Sequence, residues 1–413
     1  MEKRFLDQKA VIDTFTFQLE NKIKAVGVNH SINNDDITWF VTTWNDNARH
    51  VLLGQMYFFD QNYGKAIQHF DYILYNFTSV SSNIKFGLDN KFEKAKWKNI
   101  FSGIDPDEHI YTLWFGKSYK QTHTLQSMFS IVPPNNYMVK PSAACIKYWE
   151  TIWDNPVYSI DLNNPANSKV LDPGIPGDFF RGHGVSYSYY KDGIALGTDQ
   201  IADMLIKKLN GNVIDVQLLM NNVDTVVTKY DIGKNQYAHD ANFIVYRAAG
   251  VHLYASEIYA VWSHLYDNVQ IPRTNSNKSL NILNDGSYKK TSDDSKHLGV
   301  RGRVGFADNA QEGVLANAIT YLNDPITNKI LGYLNFTNNI PAQQSYLVDK
   351  ILEERAREMA FEGERFYDLI RIAKRRNDPG FLANKVADKF PPGKRESIRN
   401  LLMNENNWYI NFY

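Results

Sequence analysis

Seven aromatic side chains crowd one stretch of this chain. Trp153, Tyr158, Phe179, Phe180, Tyr187, Tyr189 and Tyr190 gather around Arg181 and His183 in and just before "DNPVYSIDLNNPANSKVLDPGIPGDFFRGHGVSYSYYKDGIALGTD" (154–199). Flat rings edged by hydroxyls and a guanidinium can stack on a sugar or grip an extended peptide. Tyr187 and Tyr189 are two apart, so an extended segment turns both to one side. His183 sits among loop glycines and reads either as a ligand contact or as an ordinary loop histidine. The same rings can also fill a satellite core beneath a long loop. Both readings stay open at this point.

Other chemistry is scarce. Asp154, Asp172 and Asp178 flank the aromatic stretch and could meet in space as a glycosidase carboxylate pair, although aspartates in such company usually form turns. The chain has no G-x-x-x-x-G-K-[ST], no G-x-S-x-G and no H-E-x-x-H. No two of its 10 histidines lie within five residues of each other, so there is no local zinc-ligand pair. The oxygen-rich segments "NNDD" and "SDDS" lack the spacing of a calcium loop. No cofactor and no metal are expected, with structural calcium as the alternative. The single cysteine, Cys145, forbids an internal disulfide and is expected as a small buried hydrophobe.

The totals narrow the partners. Lys and Arg number 45 and Asp and Glu 45, so a formal net charge of zero offers no electrostatic footprint for nucleic acid. No stretch approaches the roughly 18 apolar residues of a spanning helix, and "MEKRFLDQKAVIDTFTFQLENK" has no apolar run of signal-peptide type. Aromatic residues make up 14% of the chain; most are expected in the core, and because Tyr and Trp also stack on sugars and peptides a binding surface is expected as well.

Three helical patterns must carry the aromatic stretch. In "NDNARHVLLGQMYFFDQNYGKAIQHFDYILY" (45–75), Leu53, Gly54, Tyr57, Ala66, Phe70 and Ile73 fall at the spacing of a tetratricopeptide hairpin. Gly54 and Ala66 are small where two helices cross, Tyr57 and Phe70 fill the gap beside them, and "DQNYG" supplies the turn. A second helix is expected over about 240–266, its apolar stripe running from Ile244 to Leu265, with Arg247 and Glu257 off the stripe and solvated or ion-paired. A third, "ILEERAREMAFEGERFYDLIR" (351–371), reads as one unbroken helix. Leu352, Ala356, Met359, Gly363, Phe366, Ile370 and Ala373 form its packing stripe, and "NDPG" stops it. Opposite charges stand at helical reach: Glu354 with Arg357, Glu362 with Arg365, Asp368 with Arg371. A buried ionic lattice accounts for this segment better than catalysis does. Gly363 on the stripe implies the close approach of another backbone.

These residues also carry a resemblance. "ERAREMAFEGERFYDLIR" resembles the E-R-x-x-E-L-x-x-E-G-x-R-x-x-D-L-x-R signature of the SusD/RagB-like nutrient-binding lipoproteins of the Bacteroidetes outer membrane, at Glu354, Arg355, Glu358, Glu362, Gly363, Arg365, Asp368, Leu369 and Arg371. "YRAAGVHLYASE" resembles that family's R-x-A-E-x-x-L-x-x-A-E helix at Arg247, Ala249, Leu253 and Glu257, departing at Gly250 and Ser256. "VRGRVG" resembles its R-x-R-x-G element at Arg301, Arg303 and Gly305, and the hairpin at 45–75 is the fourth match. Members usually carry a secretion signal, a lipidated cysteine and further helices before the hairpin, so the chain is expected to lack an N-terminal segment. The family's closing "L-P-I-P" motif is not evident in "FPPGKRESIRNLLMNENNWYINFY", which is left unread.

The resemblance implies a mainly α fold: a tetratricopeptide-like helical hairpin scaffold with long loop-rich insertions. It implies a single domain over 1–413, with a helical part at 40–150, a loop-rich ligand-binding insert at 151–240 and a helical scaffold with the C-terminal signature at 241–376. It further implies a non-catalytic, lipid-anchored protein on the cell-surface side of the outer membrane. Such a protein binds a glycan and delivers it to a SusC-like TonB-dependent transporter. An oligopeptide ligand, a glycoside-processing enzyme on a helical fold and a generic scaffold for folded partners are the alternatives.

Overall fold

A computed structural model describes residues 7–23, 41–75, 100–101, 108–115, 124–129, 138–145, 153–154, 157–159, 169–172, 175–176, 188–191, 194–195, 223–227, 230, 242–262 and 340–409. In chain order the elements are α1 (Gln8–Asn21), α2 (Asp46–Phe59), α3 (Tyr63–Tyr75), β1 (His109–Leu113), α4 (Leu125–Phe129), β2 (Trp153–Asp154), β3 (Val157–Ser159), β4 (Lys169–Asp172), β5 (Ile175–Pro176), β6 (Ser188–Lys191), β7 (Ile194–Ala195), β8 (Val223–Val226), β9 (Phe243–Arg247), α5 (Ala248–Trp262), α6 (Ile340–Glu358), α7 (Arg365–Arg376), α8 (Pro379–Ala387), α9 (Pro392–Leu402) and a 3-10 turn (Glu405–Trp408). The fold is mainly α. Among the described residues no helix is long and apolar enough to cross a membrane. The chain divides into two compact units: 1–123 with 157–172 and 232–354, and 124–156 with 173–231 and 355–413.

In the first unit, α2 and α3 form the expected hairpin. Asn45 caps α2 through its side chain, and Gln61 turns the corner at φ 60 before Asn62 accepts the Lys65 amide. The close crossing is where the residue sizes placed it. A Cβ on Gly54 would stand 2.6 Å from the ring of Phe70, which is itself fully buried. Phe58 and Phe70 both rest on Tyr254 of α5, the first edge-on and the second stacked at 5.6 Å. That helix is buried on every side from Ala248 to Val261, so it is the core of this unit rather than an amphipathic surface element.

The second expected helix begins late. Phe243–Arg247 is a strand, paired antiparallel with β1 through His109↔Arg247 and Leu113↔Phe243. "FIVYR" is aromatic and β-branched, a composition that suits a pleated surface. It stands directly before a helix of similar hydropathy, so no apolar period separates the two. Arg247, expected to be solvated or ion-paired, is ion-paired but buried, with Glu108 at 3.0 Å, while Glu257 is fully buried.

In the second unit, the signature segment corrects the unbroken-helix expectation. α6 ends at Glu358, a turn occupies 359–364, and α7 starts at Arg365. Gly363 has φ +87 and nothing within 4 Å of where its Cβ would be. Its role is the left-handed backbone and not the passage of a neighbour. Phe361 also sits at positive φ (63), held by a ring contact with Phe129, which itself packs on Tyr230, and by the Tyr230 hydroxyl, which donates to the Phe361 carbonyl at 3.3 Å. The expected ionic lattice is present. Arg355, fully buried, donates to Asp368 at 2.8 Å and to Glu364 at 3.1 Å, and Arg371 donates to Asp368 at 2.7 Å. Asp368–Arg371 is thus one of the pairs read from helical spacing. Glu362 lies in the turn, where that spacing does not apply, and the side chain of Arg357 lies outside the described residues. Burial raises the Asp368 carboxyl, but the two guanidiniums outweigh it and hold the group below the usual carboxylate range.

The closing segment is ordered into helices. Asn377 ends α7 in the left-handed conformation, Asp378 caps α8 by accepting from the Phe381 amide, and Pro392 opens α9. The buried indole of Trp408 donates to the Leu402 carbonyl and fastens the end. Cys145 is partly exposed, not buried as expected. Arg301 and Arg303, and the two oxygen-rich segments considered for calcium, lie outside the described residues.

Two substitutions test this architecture. Gly54→Ala drives a methyl into the Phe70 ring and is expected to destabilise the chain by about 1–3 kcal/mol in urea unfolding, with Phe70→Leu recovering part of the loss in the double variant. Asp368→Ala strands two buried guanidiniums and is expected to cost about 3–5 kcal/mol, well beyond the change at an exposed acid such as Asp388.

Candidate functional site

The aromatic insert contains short local ladders where the composition suggested only irregular chain. β2 pairs with β5 (Trp153↔Pro176), β3 with β4 (Tyr158↔Val170), and β6 lies between β7 and β8 (Tyr190↔Ala195, Tyr189↔Thr225, Tyr190↔Asp224). All these pairings are antiparallel and span two to four residues, too short to leave a period of two in the sequence. The backbone of Tyr189 and Tyr190 is therefore fixed in a three-stranded sheet, and that of Trp153 in a two-stranded one. Both belong to the second unit, whereas Tyr158 belongs to the first. Phe179, Phe180, Arg181, His183 and Tyr187 lie outside the described residues. Of the carboxylates weighed for glycosidase work, Asp154 pairs with Ile175 and Asp172 with Val157, in different units. Asp178 lies outside the described residues.

A polar and aromatic ladder that sequence spacing did not disclose runs along the α2–α3 hairpin. Tyr72 stacks on His50 with ring centroids 3.8 Å apart, His50 meets His69 through their Nδ1 atoms at 2.9 Å, and His69 stacks on Tyr57. Rings from α3 and α2 alternate along the row. At one end Asp46 accepts from the Tyr72 hydroxyl (3.0 Å) and from Arg49. At the other, the Tyr57 hydroxyl donates to Glu20 of α1 and accepts from Lys65 at 3.0 Å. His50 and His69 are 19 residues apart, so the rule that looks for ligands within one turn passes over them. Only the hairpin register brings them together: four residues before Gly54 on α2 is opposite one residue before Phe70 on α3.

Two imidazole nitrogens at hydrogen-bonding distance share one proton between them. Burial pushes His50 down to about 4, with His69 adding to the effect and Asp46 opposing it, and burial also lowers His69. For Asp46, burial raises the carboxyl, but hydrogen bonds from Arg49 and Tyr72 leave it below its ordinary value. The arrangement suits a neutral, structural pair. Among the described residues no group of three or more metal-ligating side chains comes together.

The histidine pair gives stability a definite pH dependence. The unfolded chain takes up a proton on each histidine near 6.5, while the folded hairpin resists until about 4 at His50. Stability is therefore full above 6.5 and falls as pH drops from 6.5 towards 4. Melting temperatures across that window are expected to decline, and His50→Phe, which keeps the stack on Tyr72 but cannot titrate, is expected to flatten the slope.

No curated protein matches the chain. Among solved structures it is similar to a SusD superfamily protein from Bacteroides vulgatus ATCC 8482, with 13% identity and a TM-score of 0.47, covering 87% of this chain and 56% of that one. It is also similar to a SusD-like protein from Bacteroides fragilis NCTC 9343 (16% identity, TM-score 0.43, 91% and 63% covered). A third is a SusD superfamily protein from Bacteroides thetaiotaomicron VPI-5482 (16%, 0.41, 92% and 61%). The chain thus spans roughly three fifths of the length of these relatives. The SusD family model matches residues 217–410, a span that contains β9, α5, the lattice of Arg355, Asp368 and Arg371, and the closing helices. Across that span the chain is similar to the SusD family.

Proposed function

We propose that this chain captures a nutrient, an oligosaccharide, at the outer surface of a cell and passes it to a SusC-like TonB-dependent transporter without chemical turnover. The observation that carries the reading is the family match over 217–410, joined to an insert whose aromatic residues Trp153, Tyr189 and Tyr190 sit on strands. Aromatic residues carried on backbone ladders suit stacking on a ligand. Each ring is worth on the order of 1 kcal/mol beyond area burial, so several together reach micromolar affinity. Attachment at the outer membrane through a lipid belongs to the same proposal and rests on the family alone.

A glycan and peptide array on the purified chain tests the reading, with reducing-end release measured on every glycan that binds. Saturable glycan binding without release is the expected result. Binding confined to peptides turns the reading to an oligopeptide carrier, and release of new reducing ends turns it to a hydrolase. Replacing Tyr187 and Tyr189 together by alanine is expected to weaken binding more than tenfold while leaving the far-ultraviolet circular dichroism unchanged. Intact affinity would remove the insert from the site.

A further inference from the structure

A second set of rings belongs to the first unit. β1 and β9 form a two-stranded ribbon whose register pairs Tyr111 with Tyr246 and Leu113 with Phe243. Tyr111 and Leu113 are two apart and share a face. On β9 the register passes over Val245 between Tyr246 and Ile244, a bulge that returns Tyr246 to the side of Phe243. Leu113 and Phe243 are 37% and 45% exposed, and Tyr111 and Tyr246 are half-buried. Half-buried Trp44, just before α2, meets Tyr111 edge to face at 5.8 Å, and Tyr111 meets Tyr246 at 6.5 Å.

The strip is held from behind. Asn45, beside Trp44, donates through its side-chain amide to the Ile110 carbonyl (2.9 Å) and accepts from the Ala48 amide (2.8 Å), so one residue ties the start of α2 to the middle of β1. Arg247 at the end of β9 is pinned to Glu108, and the Ala248 amide donates to the Glu108 carbonyl at 2.8 Å. The exposed positions of the ribbon are uncharged, because Arg247 is buried and paired. Half-buried rings in a row beside exposed Leu113 and Phe243, with hydroxyl and indole N–H groups on the rings and no charged residue among these five, match one ligand chemistry. That ligand is neutral, has an apolar flat face, and bears hydroxyls at its rim. An anionic or cationic ligand would find no counter-charge on this strip.

We propose that Trp44, Tyr111 and Tyr246, with Leu113 and Phe243 beside them, form a stacking platform for a neutral sugar ring. The choice of a sugar rests on the nutrient-binding reading; the location does not. The test is titration calorimetry with tryptophan emission on the full chain, using maltohexaose, cellohexaose, xylohexaose and mannohexaose as probes. Wild type is expected to bind at least one of the four with a change in emission. Trp44→Ala and Tyr246→Ser are expected to weaken that binding tenfold or more, and Trp44→Phe by less while abolishing most of the emission change. Leu113→Glu leaves every packed ring in place and is expected to weaken binding to a similar extent by putting a charge on the strip. Melting temperatures separate lost folding from lost contact, and Leu113→Glu keeps the test open if Trp44→Ala unfolds. Unchanged affinity and emission in these variants would overturn the platform, as would failure of all four sugars to bind wild type. If the paired alanine change at Tyr187 and Tyr189 alone abolishes binding, the insert stands and the platform falls. If the ribbon variants alone abolish it, the reverse holds.

Discussion

A guanidinium with no exposure to water is among the costliest groups of the described residues, and the C-terminal part of the sequence is organised around neutralising it. Arg355 sits on the last turn of α6, and its carboxylate partners stand ahead of α7 and within it, at Glu364 and Asp368. A straight helix would carry Asp368 more than three turns away from Arg355. The chain must therefore reverse within 359–364, and it does so with two left-handed residues, Phe361 and Gly363. A glycine takes that conformation freely, whereas a phenylalanine does not. The ring of Phe129, itself packed on Tyr230, and the Tyr230 hydroxyl on the Phe361 carbonyl offset the strain at Phe361. The spacing of charges in the signature thus encodes a corner as much as a lattice.

The first unit solves the same burial problem with fewer charges. Its central helix α5 is enclosed all round and meets the α2–α3 hairpin through Phe58, Phe70 and Tyr254. Buried Arg247 pairs with the carboxylate of Glu108, with the face of Phe101 nearby. Where the hairpin keeps polar rings inside, it aligns them so that the tyrosine hydroxyls and the two imidazole Nδ1 atoms meet partners from the facing helix or from α1. A row of neutral histidines does there what methyl groups do elsewhere, as long as the pair holds one proton.

What the sequence disclosed came from local rules. The hairpin was legible because Gly54 and Phe70 leave a size signature at fixed spacing, and the lattice because charges at three- and four-residue intervals are too dense for an ordinary solvated face. The break inside the signature was hidden because Met359, Gly363 and Phe366 continue the helical stepping across the turn; a glycine flanked by charges was the only mark of it. β9 was hidden because strand and helix succeed one another in a single apolar run. The His50–His69 contact and the meeting of Trp44 with Tyr111 depend on pairings across 19 and 67 positions, which no window of sequence contains. The aromatic insert was visible by composition, while the ladders that hold Tyr189 and Tyr190 are too short to show a period.

Preorganisation separates the two aromatic surfaces. Among the described residues of the insert, the strands pair with one another over two to four residues. The β1–β9 ribbon is different: one strand runs without interruption into the buried helix α5, and the other is fastened to α2 through Asn45. A ligand that stacks on rings already fixed by the core gives up less affinity to ordering them. Rings carried on local hairpins instead spend part of each contact on fixing their own backbone, but they can adjust to ligands of different shape. A capture protein with both kinds of surface can hold a sugar firmly at the ribbon and admit a wider range of shapes at the insert.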